Sequence, residues 1–390
     1  MTLLSIILLA IVANRKTDPF YSWIENSSLE SFGLFVAGLI VEQKVNMQIS
    51  EVNSPLSPEE KKLFAELLEK HNDKSNKLHL TTLEPRDKRF IIEHPWLRPI
   101  HTGSYLVLTN SDSEEIHRFA GILDDLYVTF ISEMQGADFA VMERRKPHIC
   151  YLKNRADYLK VSKEANKHFH DSLGFFSPVK NCIYLFSRKG SLEGLEIEEK
   201  FVETIDFGNK IYDGQELDLF LDTIELNKAR YLAKLDEETI CTLRHEGAHQ
   251  LSYMLGLHSL RGFEKRWLTE GIAQYFETIK PGQIRETKRK ILRDHFSEGK
   301  LHNWQNLINS DEESFKSSKT FGRQLAYSQA WLLVKYLMEK HRSVFFDYIK
   351  LTREKGALDS PLKNSDLLCQ LLGTSIDKLT AELNKEIERL

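Results

Sequence analysis

The spacing of apolar positions changes character three times along the chain. Residues 34–41 (LFVAGLIV) are a continuous apolar run, the pattern of a strand buried on both faces. Ser57-Pro58 then opens a helix carried by Leu63, Leu67 and Leu68, with Pro58 suited to its first turn. A short strand is expected over 78–82, and 93–99 reads as a connection into the next part.

From residue 100 the elements are clearer. Residues 104–109 (SYLVLT) read as a strand. Over 113–134, Ile116, Phe119, Leu123, Leu126, Phe130 and Met134 fall on one helical face. His148–Leu152 is a second strand, 154–163 a short helix, and a Gly174-Phe175-Phe176 turn feeds a third strand, Cys182–Phe186. After residue 233 the pattern is nearly all helical. One helix is expected to start at Asp236, an N-cap followed by Glu237 and Glu238, and to stop at Gly256. Others are expected at 270–279, 283–297, 323–341, 343–353, 363–372 and 375–389. A sheet-bearing part followed by a helical part is an α+β order. The division is a signal or anchor segment over 1–16, an accessory lobe over 17–98, and a domain over 99–390. That domain has a small mixed sheet over 99–232 and helices over 233–390.

Composition narrows the classes. The 390 residues are 41% hydrophobic and 28% charged, which excludes wholesale disorder, collagen-like repeats and a multi-span membrane protein. Lys+Arg 53 against Asp+Glu 57 leaves no basic footprint for nucleic acid. The four cysteines form no C-x-x-C pair, which argues against a zinc ribbon or a thioredoxin-type site. Residues 3–13 (LLSIILLAIVA) are too short to span a bilayer comfortably. They have the length of a signal-peptide core, although no Lys or Arg precedes them and Arg15 and Lys16 follow. Export or a membrane tether through 3–13 is expected, giving a secreted, periplasmic or envelope-associated protein. A buried N-terminal element and a cytoplasmic protein are the alternative.

The chemistry concentrates in His245-Glu246-Gly247-Ala248-His249, an H-E-x-x-H motif. On a helix, His245 and His249 share one face, so both imidazoles can converge on one ion. Glu246 can take a proton from a metal-bound water. A catalytic zinc needs three protein ligands and one open position. Glu270, 21 positions downstream in the first turn of a second helix, is the natural third ligand. Gly271 and Ala273 are small enough for that helix to pack closely. Glu277, two turns beyond Glu270, reads as a carboxylate that orients one ligand imidazole through its other ring nitrogen. One Zn2+ per chain follows.

These residues resemble the gluzincin zinc metallopeptidases. H-E-G-A-H-Q followed by W-L-T-E-G-I-A-Q-Y-F-E is similar to the peptidase MA-like group, including its bacterial branch of uncharacterised domains. Gln250, Trp267, the E-G-x-A core and Glu277 match the pattern, and the likeness extends over about residues 100–390. The resemblance implies a zincin-like fold and a peptide or protein substrate. It also implies a tyrosine over the metal that steadies the oxyanion, a role Tyr327 matches by position. The alternative for Tyr327 is a helical core tyrosine beside Trp331, Val334 and Leu337. Substrate addition to a sheet edge is implied too, with Cys182–Phe186 or 202–207 as the edge. The G-x-M-E-N-type segment of the aminopeptidase branch is absent before His245, which lowers the case for a dedicated aminopeptidase.

Other groups read more plainly. His168, His170 and Asp171 suit a solvated turn better than a second metal site. Cys241, one turn before His245, reads as a packed helix cysteine, and 285–293 (RETKRKILR) as a solvated basic face. Two rival functions stand beside the peptidase: a metal-holding but inactive binding module at the cell envelope, and an interaction protein with a chance H-E-x-x-H.

Overall fold

The computed structural model describes residues 54–70, 80, 83–102, 104–137, 139, 146–165, 172–258, 265–309, 315, 320–355 and 363–390. The apolar runs 3–13 and 34–41 and the group His168, His170 and Asp171 lie outside the described residues. The molecule is a mixed α+β protein, mostly helical, with one small sheet.

The sheet has five strands: β1 (Arg98–His101), β2 (Leu106–Thr109), β3 (His148–Leu152), β4 (Gly174–Ser177) and β5 (Cys182–Phe186). Their spatial order is β1-β2-β3-β5-β4. β2, β3 and β5 run parallel, and β1 and β4 close the edges antiparallel. The central strands are buried along their whole length, as parallel strands covered on both faces must be. Their side chains alternate between two cores. Val107, Ile149, Tyr151, Ile183 and Leu185 enter the larger core, while Leu106, Leu108, Cys150, Leu152, Tyr184 and Phe186 enter the smaller one.

Two expectations for the sheet are corrected. Gly174-Phe175-Phe176 is not a turn but the edge strand β4, and the turn follows at 178–181, where Asn181 has φ 45. Cys182–Phe186 is not an edge either, because β4 folds back along its outer side.

The smaller core is covered by α1 (Pro58–Lys70), α2 (Pro85–Glu93) and α4 (Arg155–Ala165). α1 opens on a capping box: Glu60 N–H donates to Ser57 Oγ, and Ser57 N–H donates to Glu60 Oε2. Phe64, Leu67 and Leu68 are its buried residues, whereas Leu63 is exposed. Leu80, the one described residue of 78–82, is helical rather than extended. The described part of 17–98 thus shares its core with the sheet.

The larger core holds α3 (Ser113–Glu133), α6 (Gly214–Met254), α7 (Arg266–Phe276), α8 (Glu286–Ser297) and α9 (Trp304–Asn309). It also holds α10 (Thr320–Lys340), α11 (Arg342–Lys355), α12 (Asn364–Leu372) and α13 (Ile376–Glu388). α6 is the largest departure from the sequence reading. It begins 22 residues before Asp236, so Asp236 caps nothing. Asp236 lies inside the helix and pairs with Arg118 and Lys189. The first buried residue of α6 is Leu235. Before it, α6 runs beside α5 (Leu192–Ile211), so 202–207 is helix and supplies no sheet edge. α5 and the first half of α6 form a two-helix arm. Gly208 allows their contact, since a Cβ there would stand 2.1 Å from the Phe220 ring. Leu195, Val202, Phe207, Leu219 and Leu226 remain exposed along this arm.

Candidate metal centre

The second half of α6 lies across the sheet and is fixed at several points. Gln250 donates from Nε2 to the carbonyl oxygens of Asn181 (2.9 Å) and His148 (3.3 Å), at the starts of β5 and β3. Gly247 admits α3, because a Cβ there would come within 2.6 Å of Leu126 Cδ2. Arg244 is fully buried and binds the end of α7. Its Nε donates to Phe276 O (3.1 Å) and Thr278 O (2.9 Å), its Nη2 to Ile279 O (3.3 Å), and its Nη1 pairs with Asp125 (3.2 Å). The Phe276 carbonyl ends α7 and the other two follow it, so none is used by a helix and a guanidinium is well suited to them. α7 is in turn pressed against α10. A Cβ on Gly271 would stand 2.6 Å from Val334 Cγ2 and 2.7 Å from Ala330 O.

This framework brings His245, His249 and Glu270 together. Among the described residues they are the one group of three or more His, Cys, Asp or Glu whose ligand atoms all lie within 4.8 Å of one another. The two Nε2 atoms are 3.2 Å apart. Glu270 Oε2 is 3.3 Å from His245 Nε2 and 3.5 Å from His249 Nε2. With zinc–nitrogen and zinc–oxygen bonds of roughly 2.0–2.2 Å, the edge of a tetrahedral site is roughly 3.3–3.6 Å. The three atoms therefore have the dimensions of one face of such a tetrahedron, and two histidines with a carboxylate are a donor set that catalytic zinc takes. The residues fit a metal.

The charges respond to this crowding. Burial alone would raise the Glu270 carboxyl, but the charge of His249 and hydrogen bonds from both imidazoles hold it well below 4.5. Burial also opposes charging of His245, yet its bond to Glu270 and the charges of Glu246, Glu270 and Glu277 raise it above 6.5. Glu246 is half-buried beside them on α6. Tyr327 enters from α10, its ring edge-on to Phe315, and it lies near enough to Arg266 and Glu270 to feel the charge of both. Burial and the Glu270 charge push its hydroxyl up to about 12, which keeps it protonated and able to donate.

Glu277 is placed differently from the sequence expectation. Its Oε2 is 3.9 Å from His245 Nδ1, beyond hydrogen-bond length. The side-chain amide of Gln274 occupies that position instead, with Nε2 3.1 Å from Nδ1. Lys288, on α8, donates to both Gln274 Oε1 and Glu277 Oε2, and Arg285 adds a contact to Glu277 at 3.3 Å. Two basic residues of 285–293 thus serve this cluster rather than forming a wholly solvated face. Cys241 is buried and its thiol is pushed up to about 11, in keeping with a packed cysteine.

Three functional candidates were missed in the sequence. Gln274 lies in the segment already identified and Arg266 immediately before it, four residues to either side of Glu270, but neither belongs to a metal-ligand pattern. His258 is the third. Gly256, with φ 69, turns the chain at the end of α6, and the N–H groups of Leu257 and His258 both donate to Ser252 O. The His258 imidazole is 7% exposed, and among the described residues neither ring nitrogen has a hydrogen-bond partner. Burial, with the charge of His249 nearby, pushes its pKa down to about 3.

Comparison with known proteins adds one match. Residues 239–359 are similar to the family described as "Protein of unknown function (DUF1570)". The matched span holds His245, Glu246, His249, Glu270, Glu277 and Tyr327, and leaves out the whole sheet. No curated protein matches the chain.

Proposed function

We propose that the chain is a zinc-dependent metallopeptidase of zincin-like build, in which His245, His249 and Glu270 hold one Zn2+. The observation that carries this reading is the 3.2, 3.3 and 3.5 Å triangle of their donor atoms. Bound there, zinc supplies Lewis acidity, polarising a peptide carbonyl and acidifying a bound water. Glu246 is the general base: it takes the proton of the attacking water and returns it to the leaving amine. Tyr327, kept protonated, donates to the oxygen on which charge develops. Gln274 stands behind the ring of His245, and Arg244 fixes the helix that carries Glu270. Residues 3–13 suit an exported or membrane-tethered enzyme. No helix among the described residues is long and apolar enough to cross a membrane.

The test is zinc per chain in protein purified without added metal, followed by digestion of a peptide library. One zinc in the wild type, none in His245→Ala, and cleavage lost in Glu246→Gln are expected. Zinc with no cleavage in the wild type would replace the enzyme with a binding module. No metal in either protein, even after zinc is offered, would overturn the reading.

A further inference from the structure

Two cations near the centre, Lys288 and Arg285, are committed to Glu277. Arg266 is placed otherwise. It opens α7 one turn before Glu270, and its Nη2 lies 3.2 Å from Glu270 Oε1, the oxygen turned away from the histidines. The guanidinium also lies near Tyr327, each acting on the other's charge. Even so, the side chain is 41% exposed, and its buried Nε has no partner among the described residues. A guanidinium has five N–H donors in a planar fork, and the ion pair to Glu270 uses one of them. Arg266 therefore pairs with a metal ligand, lies near the hydroxyl assigned to the oxyanion, and still has donors to offer a ligand.

Charge points to what that ligand is. With both histidines neutral, as ligands must be, the one negative charge of Glu246, Glu270 and Arg266 is offset by the one positive charge of Glu277, Lys288 and Arg285 behind His245. A divalent ion makes the whole centre positive, and the loaded centre then favours an anion. A planar fork matched to a carboxylate is the strongest neutral-pH way to hold one.

We propose that Arg266 anchors a carboxylate of the substrate, either a free peptide C-terminus or an Asp or Glu side chain, and so decides which peptides the centre accepts. This rests on the metallopeptidase reading and adds a substrate class to it. Arg266 is a specificity-determining residue here. A purely structural Arg266 would only support Glu270 and would not distinguish one peptide from another.

The test is calorimetric binding to the full chain carrying Glu246→Gln, with and without zinc, so that no turnover intervenes. Three probes are compared: an acetylated tripeptide as free acid, the same peptide as C-terminal amide, and an amide with one internal Glu. The free acid or the Glu-bearing amide should bind at least ~10-fold more tightly than the plain amide, and the better of the two identifies the carboxylate source. Adding Arg266→Met should abolish that ratio while zinc content stays at the parent level, and Arg266→Lys should keep only part of it. Equal binding of all three probes, or a ratio that survives Arg266→Met, overturns the proposal. Loss of zinc in Arg266→Met with equal weakening of every probe overturns it too, and marks a support for Glu270. A parent chain that takes up no zinc would instead sink the metallopeptidase reading.

Discussion

The side-chain amide of Gln274 lies 3.1 Å from Nδ1 of His245, nearer than the Glu277 carboxylate that the sequence suggested for that place. A metal on Nε2 leaves the proton on Nδ1, which then needs an acceptor. Gln274 can present its oxygen there after a half-turn of the amide, and Lys288 can keep its bond to Glu277 meanwhile. Gln274→Leu should therefore lower zinc affinity by about 10–100-fold, the usual cost of losing a ligand's orienting partner. Glu277→Gln should cost less. Chelator competition on the two variants measures this, and the reverse order would restore Glu277 as the direct partner.

The pH dependence of stability should invert with metal. In the zinc-free chain, Glu270 has a lowered pKa, so its contribution is present above 4.5 and is lost as pH falls through the folded value. His245 has a raised pKa, so its contribution is present below 6.5 and is lost as pH rises through the folded value. The zinc-free chain should gain most from this pair between those two values. Zinc requires neutral imidazoles, so the stabilisation it adds should grow as pH rises above 6.5. Thermal melts across pH, with and without zinc, would show two separated optima. A single shared optimum would mean that His245 takes no part in binding.

His258 should be replaceable at a gain in stability. Two ring nitrogens buried without partners cost free energy that an apolar ring of similar size does not. His258→Phe is expected to stabilise the fold by about 1 kcal/mol in urea unfolding. A loss of similar size would mean that the imidazole is satisfied in solution by bound water.

The glycines of two helices should respond in opposite directions. Gly271→Ala forces a Cβ against Val334 and the Ala330 carbonyl, an overpacking that costs about 1–3 kcal/mol and disturbs neighbouring Glu270. Gly121, on α3, has nothing within 4 Å of an added Cβ, so Gly121→Ala should stabilise by about 0.5–1 kcal/mol. Equal effects from the two would show that the α7–α10 contact is looser than 2.6 Å implies.

Much of the centre could be read from the sequence because its parts are local. His245 and His249 share a face by helical period, and Glu270 follows in the next helix. The three central strands were legible for a similar reason, since continuous apolar runs suit parallel strands buried on both faces. What could not be read depends on partners distant in sequence. β4 looked like a turn because Gly174-Phe175-Phe176 takes its strand character from pairing with β5. Gln274 gains its role only once α7 packs against α6 and brings its amide to His245 Nδ1. The start of α6 was misplaced because Asp236, Glu237 and Glu238 make a good N-terminal signal, while the helical stretch before them buries nothing before Leu235.

That stretch has a mechanical consequence. Between Gly214 and Gly247 the chain has neither proline nor glycine, the usual sites of a sharp kink, so α6 has no built-in hinge. At 1.5 Å per residue, the arm from Gly214 to Leu235 is about 32 Å long, and His245 lies about 15 Å beyond that pivot. The helix is a lever with its long side in solvent and its short side carrying the histidines. Whatever grips the arm also grips His245 and His249.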